Sequence, residues 1–193
     1  MSSKADTIAT VDMVAHCFTV LINHLNGRHE RPAIPVQQVG GMFVTWERNG
    51  DLRGCIGCLQ ELSLDRLSDY AISSSQRDSR FKPISQREIH ELECTVSILH
   101  SFKKCEHMCD WTVGLHGIIV AFEWHGRDYR STFLPNVMPE QTWDQTQAVT
   151  AAVRKSGFNG KLSEVSAVIT VTRYESSKAT LTYEEYVQFM QNR

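Results

Sequence analysis

Apolar side chains recur at helical spacing over residues 8–26. Val11, Val14, Ala15, Phe18, Leu21, Ile22 and Leu25 share one face, and Gly27 follows as a stop. Residues 28–38 carry Pro32 and Pro35, which predicts a loop or extended linker. Residues 42–46 read as a strand. Asn49 and Gly50 read as a hairpin turn whose two positions both need positive φ, and residues 52–57 as the returning strand. Ser63 is placed to cap a helix over about residues 64–75, with Leu64, Leu67, Ala71 and Ile72 on one side. A polar loop occupies residues 76–83. Strict alternation over residues 92–99 puts Leu92, Cys94, Val96 and Ile98 on one face, as in a half-buried strand. Residues 112–124 predict a further long strand, turned by His125, Gly126 and Arg127 into a partner over residues 128–133. Pro135 and Pro139 break the chain before a helix over about residues 140–155, ended by Gly157. Residues 167–174 alternate again. Thr182 and Glu185 have capping-box spacing ahead of a last short helix. Hairpins outnumber strand–helix–strand units, so the expected fold is α+β, with a mostly antiparallel sheet and flanking helices.

Size and charge narrow the functional classes. A chain of 193 residues suffices for one sizeable core or two small subdomains. Twenty basic against 22 acidic side chains give a formal charge of −2, too little field to hold a phosphate backbone, so a nucleic-acid partner is disfavoured. The pair Lys103 and Lys104 is interrupted at once by Cys105 and Glu106. Residues 1–9 are polar, predicting a flexible terminus without an export segment, and no run is long and apolar enough to span a bilayer. The six cysteines are then expected as reduced thiols in the cytosol, with access to the nucleus by size or by a partner.

Candidate chemistry concentrates in residues 52–57. Strand alternation would put Arg53, Cys55 and Gly57 on one face and send Leu52 and Ile56 into the core. A guanidinium beside a thiol stabilises thiolate, which would activate Cys55 in a pocket. Gly54 and Gly57 would let a ligand or another backbone approach. The plainer alternative is a packed thiol beside an arginine that ties down a loop carbonyl or carboxylate. His116, between Gly114 and Gly117, is the candidate base for a Cys–His pair; its alternative is a histidine bonded to backbone. Asp78, Ser79 and Arg80 form a polar loop in which Arg80 could bind a carboxylate or phosphate, or Asp78 could clasp Arg53 or Arg80.

Cys55 and Cys58 match a C-x-x-C spacing. Alternation separates them unless the chain turns at Gly57, so neither a dithiol nor a metal site is assigned. No phosphate-cradling loop, dinucleotide fingerprint or serine elbow occurs, and no cofactor is called for. Trp46, Trp111, Trp124 and Trp143, with Tyr129 and Phe133, are expected in cores rather than as a base-stacking platform.

The string Leu52-Arg53-Gly54-Cys55-Ile56-Gly57 resembles the six-residue signature of the AMMECR family. Residues 41–46, the Asp78-Ser79-Arg80-Phe81 quartet, residues 115–118, 133–135, 143–144 and 181–183 follow in the order of that family. The resemblance covers residues 10–190. It implies a single domain of a larger and a smaller subdomain, with a cleft bordered by the signature segment. It supplies no reaction, and a link to nucleic-acid or translation processes has been suggested for the family only as speculation. Cys58 departs from the small hydroxyl residue expected there. The resemblance carries over Arg53, Cys55, Arg80 and His116, each at a matching motif position.

Two functional classes therefore stand side by side. One is a cleft protein that binds a small anionic ligand or peptide, with Cys55 as nucleophile, His116 as base, and Arg53 and Arg80 as anion binders. The other is a non-catalytic interaction module or adaptor, in which the same segment shapes a surface for a protein partner.

Overall fold

The computed structural model describes residues 7–28 and 30–193. The expectation of a flexible terminus falls partly on residues 1–6, and the linker expectation partly on residue 29; both lie outside the described residues. In chain order the elements are α1 (Val11–Leu25), β1 (Gln38–Val39), β2 (Met42–Arg48), β3 (Asp51–Cys58), β4 (Leu62–Ser63), α2 (Leu67–Gln76), β5 (Leu92–Lys104), β6 (Gly117–Trp124), β7 (Arg127–Phe133), α3 (Val137–Glu140), α4 (Gln145–Lys155), α5 (Leu162–Val165), β8 (Thr170–Thr182) and α6 (Tyr183–Gln191). The fold is α+β. Its six longer strands run in the order β3-β2-β5-β8-β6-β7, and β1 pairs with β4. The pairs β2/β3, β2/β5, β6/β7 and β6/β8 are antiparallel. The chain divides into two compact units, residues up to 100 with 177–193, and residues 101–176.

In the first unit, α1 and α2 lie against the face of the sheet formed by Met42, Val44 and Trp46 on β2 and Cys94, Val96 and Ile98 on β5. The alternation read from sequence is what creates that face. Trp46 is fully buried and meets Phe18 of α1 edge-on, with ring centroids 5.2 Å apart. Its indole N–H donates to Ser74 Oγ at 3.0 Å and to the Ala71 carbonyl at 3.3 Å, which fixes α2 over the sheet. The hairpin turn has positive φ at Asn49 and Gly50, 53° and 82°, as the dipeptide requires. Thr182 caps α6 through the expected box with Glu185.

In the second unit, α4 packs on β6 and β7. The core there gathers Trp111, Ile118, Val120, Phe122, Val149, Val153 and Phe158. Arg173 and Asp110 form an ion pair at 2.9 Å beside it.

Several expected boundaries move. Val11 starts α1 but is 42% exposed, because the side chain of Thr10 caps the helix there and the apolar stripe begins at Met13. Ser63 caps nothing: the chain enters α2 through a 3-10 turn, Leu64–Arg66, that displaces the helix start by one turn. The helix expected from residue 140 starts at Gln145, where Asp144 and Gln147 make a capping box. The strand expected from residue 112 starts at Gly117, because Thr112 and His116 close a turn on each other. The strand expected over residues 167–174 is β8, which starts at Thr170 and continues to Thr182.

Gly54 lies where β3 meets α2. A Cβ there would sit 1.9 Å from the Ser74 carbonyl oxygen, a backbone atom that cannot swing aside. We expect Gly54→Ala to destabilise the chain by about 3 kcal/mol, since overpacking against fixed backbone is relieved only by shifting α2. Urea unfolding checks this, through a lowered midpoint at unchanged slope.

Candidate functional site

β3 is the edge strand of the first unit, and an edge exposes backbone N–H and C=O groups that need partners. Cys55 lies opposite Thr45 in register with β2. The Cys55 N–H points away from β2 and donates to Asp78 Oδ2 at 2.9 Å. The Cys55 carbonyl accepts from Arg80 Nη2 at 3.1 Å. Asp78 and Arg80 thus occupy the place of one residue of a further strand. They also hold each other: Arg80 Nε donates to Asp78 Oδ1 at 2.9 Å and Nη2 to Oδ2 at 2.6 Å. Of the alternatives open for Asp78 in the sequence, the clasp with Arg80 is the one formed. Asp78 is 8% exposed, and hydrogen bonds from Arg80 and from the Cys55 and Arg80 N–H groups override burial to hold its carboxyl well below the usual carboxylate range.

Arg53 makes a separate network. The register of β2 on β3 shifts between Trp46 and Glu47: Trp46 faces Gly54, Glu47 faces Leu52, and Arg53 has no opposite residue. This bulge interrupts simple alternation. Leu52, expected in the core, is 39% exposed, and Ile56 is half-buried rather than sunk. The reason is local: the extra residue at the bulge pairs Leu52 with Glu47, an outward-facing position of β2, close to the hairpin tip. Arg53 Nε donates to Glu88 Oε1 at 2.9 Å, Nη1 to the Lys82 carbonyl at 2.6 Å and Nη2 to the Pro83 carbonyl at 3.3 Å. Each guanidinium nitrogen is therefore committed to the 82–88 segment, the tying role weighed above for this arginine.

Around Cys55 the outward face of the sheet is polar. Cys55 Sγ accepts a hydrogen bond from Thr45 Oγ1 at 3.2 Å. The outward-pointing N–H and C=O of Cys55 mark its pair with Thr45 as non-hydrogen-bonded, the spacing in which cross-strand side chains come closest. Thr95 faces Thr45 on β5, and its hydroxyl lies 2.8 Å from that of Thr180 on β8. Cys55, Thr45 and Thr95 are half-buried and Thr180 is exposed. One pleat away, Glu47 and Glu93 face each other, and burial together with Glu47 pushes the Glu93 carboxyl up.

Gly57 shares the outward face, but the space a side chain would use holds the Met42 carbonyl and the Phe43 ring, 2.2 and 2.3 Å from an added Cβ. Both signature glycines thus admit parts of the protein itself. Cys58 faces Met42 on the inward side, so the two C-x-x-C thiols point to opposite faces.

Ser79 is exposed on the loop. His116 belongs to the second unit. Its Nδ1 accepts from the Thr112 N–H at 2.9 Å, and its own N–H donates to the Thr112 carbonyl at 3.0 Å. An accepting Nδ1 places the ring proton on Nε2, so in this orientation the imidazole presents a donor outward. Among the described residues, no three His, Cys, Asp or Glu side chains converge in a metal-holding group. A pair that periodicity did not flag is His16 on α1 with Ser68 on α2, both buried and 2.7 Å apart. Its two members are 52 positions apart, and α1 otherwise reads as an ordinary apolar stripe.

Glu88 supplies the acid-sensitive element of the site. Burial opposes its ionisation, but hydrogen bonds from Arg53 and from the N–H and hydroxyl of Ser85 hold it down at about 2 against an ordinary 4.5. A depressed carboxyl contributes stability that is complete above the unfolded value and lost as pH falls through the folded one. The stability of the first unit should therefore stay level above pH 4.5 and decline toward pH 2. Glu88→Gln should lower the neutral-pH plateau by about 2 kcal/mol and flatten that decline. Urea midpoints followed by tryptophan fluorescence across the pH range measure both.

The AMMECR1 family model matches residues 14–179. An uncharacterised protein of Arabidopsis thaliana is 39% identical over 191 residues, covering 94% of this chain and 89% of that protein. One of Schizosaccharomyces pombe, also uncharacterised, is 39% identical over 137 residues, 70% of each chain. The crystal structure of the uncharacterised protein PH0010 from Pyrococcus horikoshii superposes with a TM-score of 0.69 at 22% identity, covering 88% of this chain and 89% of that one, a likeness of fold. A family match over most of the chain, together with these relatives, makes this protein a member of the AMMECR1 family.

Proposed function

We propose that the protein is a ligand-binding protein whose site is the outward face of β3 around Cys55, and that it takes a small anionic ligand or an acidic peptide group. One observation carries this reading. The Arg80 guanidinium is held beside Cys55 by Asp78 and the Cys55 carbonyl, yet its Nη1 has no partner among the described residues. The side chain is 55% exposed, and the Phe81 ring lies 5.3 Å from the guanidinium carbon, which steadies it. A pre-positioned guanidinium with one open edge suits a carboxylate or phosphate oxygen. The neighbouring thiol, with a hydroxyl donating to its sulfur, supplies a second polar contact of adaptable character. The Glu47 and Glu93 pair bounds the site on one side and confines an anion to the Arg80 end. Arg53, Gly54 and Gly57 support the site from behind, through the segment and helix they pack.

This is a binding reading. A nucleophilic role for Cys55 needs a base, and the base expected from sequence, His116, has its Nδ1 occupied by backbone and belongs to the other unit.

Charged thiol reagents test the site directly. A methanethiosulfonate bearing a sulfonate should modify Cys55 roughly tenfold faster than one bearing a trimethylammonium group, as a unit charge a few ångströms away dictates. Half-buried Cys109, in the second unit, serves as the internal reference. Arg80→Gln should abolish the preference and Arg80→Lys retain part of it, read by peptide mass spectrometry. Equal rates for the two reagents, or a Cys55 that reacts only in urea, sinks the proposal.

A further inference from the structure

The first unit contains a cavity of about 430 Å³ away from the signature strand. Its walls come from four separated parts of the chain, one of them Leu64 of the 3-10 turn. Met13, His16 and Thr19 line it from α1, Ile34 and its proline neighbours from the 32–37 segment, and Met190 from α6. The volume falls within the range that holds small organic molecules, and a mostly apolar lining with few polar groups is the usual composition of such pockets. None of Arg53, Cys55, Asp78 or Arg80 lines it.

His16 gives this space a chemical direction. It is 7% exposed, and its Nε2 is hydrogen-bonded to Ser68 Oγ at 2.7 Å. Among the described residues its Nδ1 has no hydrogen-bonding partner. That nitrogen is not sealed off: among the described residues, the one fully buried side-chain polar atom without a partner is Ser63 Oγ, so Nδ1 keeps surface that a small molecule can reach. A ring nitrogen kept without a protein partner, on a residue that lines a cavity, is what a ligand-recognition group looks like before its ligand arrives. Ser68 is 3% exposed and does not line the cavity, so the pair is an orienting contact and not a nucleophile with its base. Ser68 fixes the imidazole from behind, as second partners fix functional histidines elsewhere.

The charge balance selects the ligand. Burial and the positive charge of Arg31 both push the His16 imidazole toward its neutral form. A neutral imidazole has one donor and one acceptor nitrogen, and since either tautomer satisfies the contact of Nε2 with the Ser68 hydroxyl, Nδ1 can present whichever role a ligand needs. The two charged residues lining the cavity, Asp12 and Arg193, pair with each other at 3.2 Å. No unpaired charge therefore faces the space, and a charged ligand would be desolvated there without compensation.

We propose that this cavity is a second binding site, for a small uncharged organic molecule with an apolar body and a single hydrogen-bonding group that engages His16 Nδ1.

Phenol is the probe, with 4-hydroxybenzoate and tyramine as its anionic and cationic counterparts. Saturation-transfer NMR on the full chain should show phenol binding in the millimolar range, the strength a ligand of this size can reach. The imidazole nitrogen resonances of His16 should shift in step with occupancy. Ala33→Trp places a bulky ring at the exposed cavity wall and leaves the His16–Ser68 contact intact; it should weaken phenol binding at least tenfold, roughly 1.4 kcal/mol. Absence of phenol binding overturns the proposal. So does binding that leaves His16 unshifted or survives Ala33→Trp, and so does a preference for either charged counterpart.

Discussion

The closure of the β3 edge at Cys55 is the contact on which the signature segment depends. An antiparallel edge residue that faces outward leaves its N–H and C=O without a strand partner, and a row of such groups invites pairing with another chain. Here a carboxylate and a guanidinium two positions apart replace the missing strand: Asp78 takes the N–H and Arg80 supplies the donor for the carbonyl. Because the two also bind each other, the clasp arrives preassembled, and its loop is fixed at one end by α2 and at the other by the 82–88 segment that Arg53 grips. Removing either partner would free one backbone group and leave a charge without its counter-ion, so the pieces are coupled rather than additive.

This coupling explains why the signature and the polar loop quartet belong together although 23 residues separate Cys55 from Asp78. The glycines serve the same assembly. Gly54 admits the Ser74 carbonyl at the end of α2, which delivers the chain to the loop, and Gly57 admits the Phe43 ring and the Met42 carbonyl, which seat β3 on β2. Most of the motif is therefore accounted for by folding. What is left over is small and specific: a half-buried sulfur with a hydroxyl donating to it, and one edge of a guanidinium. Function is best sought in that remainder, since those groups have no structural task that an apolar or smaller side chain would not perform as well.

The amount legible in the sequence follows from how local each signal is. Alternation placed Leu92, Cys94, Val96 and Ile98 on the buried face, the Asn49-Gly50 dipeptide gave the hairpin, and Thr182 with Glu185 gave the cap of α6, because each signal is complete within a few residues. The failures are non-local. The register shift that leaves Arg53 unpaired depends on how β2 docks on β3, and once it occurs the expectation that Leu52 and Ile56 are both inward cannot hold. The early start assigned to β6 failed because Thr112 and His116 bond to each other across a turn, a pairing that a run of β-favouring residues does not reveal. His16 escaped notice for the same reason: its meaning resides in Ser68 and in a wall of chain from the 32–37 segment and α6.

The contrast between the two candidate sites is one of electrostatic economy. At Cys55 charge is abundant and nearly all of it is cancelled inside the fold, so selectivity must come from the one uncancelled edge of Arg80 against the acidic pair at Glu47 and Glu93. In the α1 cavity charge is held at the rim and paired, so selectivity must come from shape and from a single hydrogen bond to a neutral imidazole. An anion that suits the first would be stripped of water without return in the second. Both sites lie in the first unit, yet by their chemistry they would not compete for the same molecule.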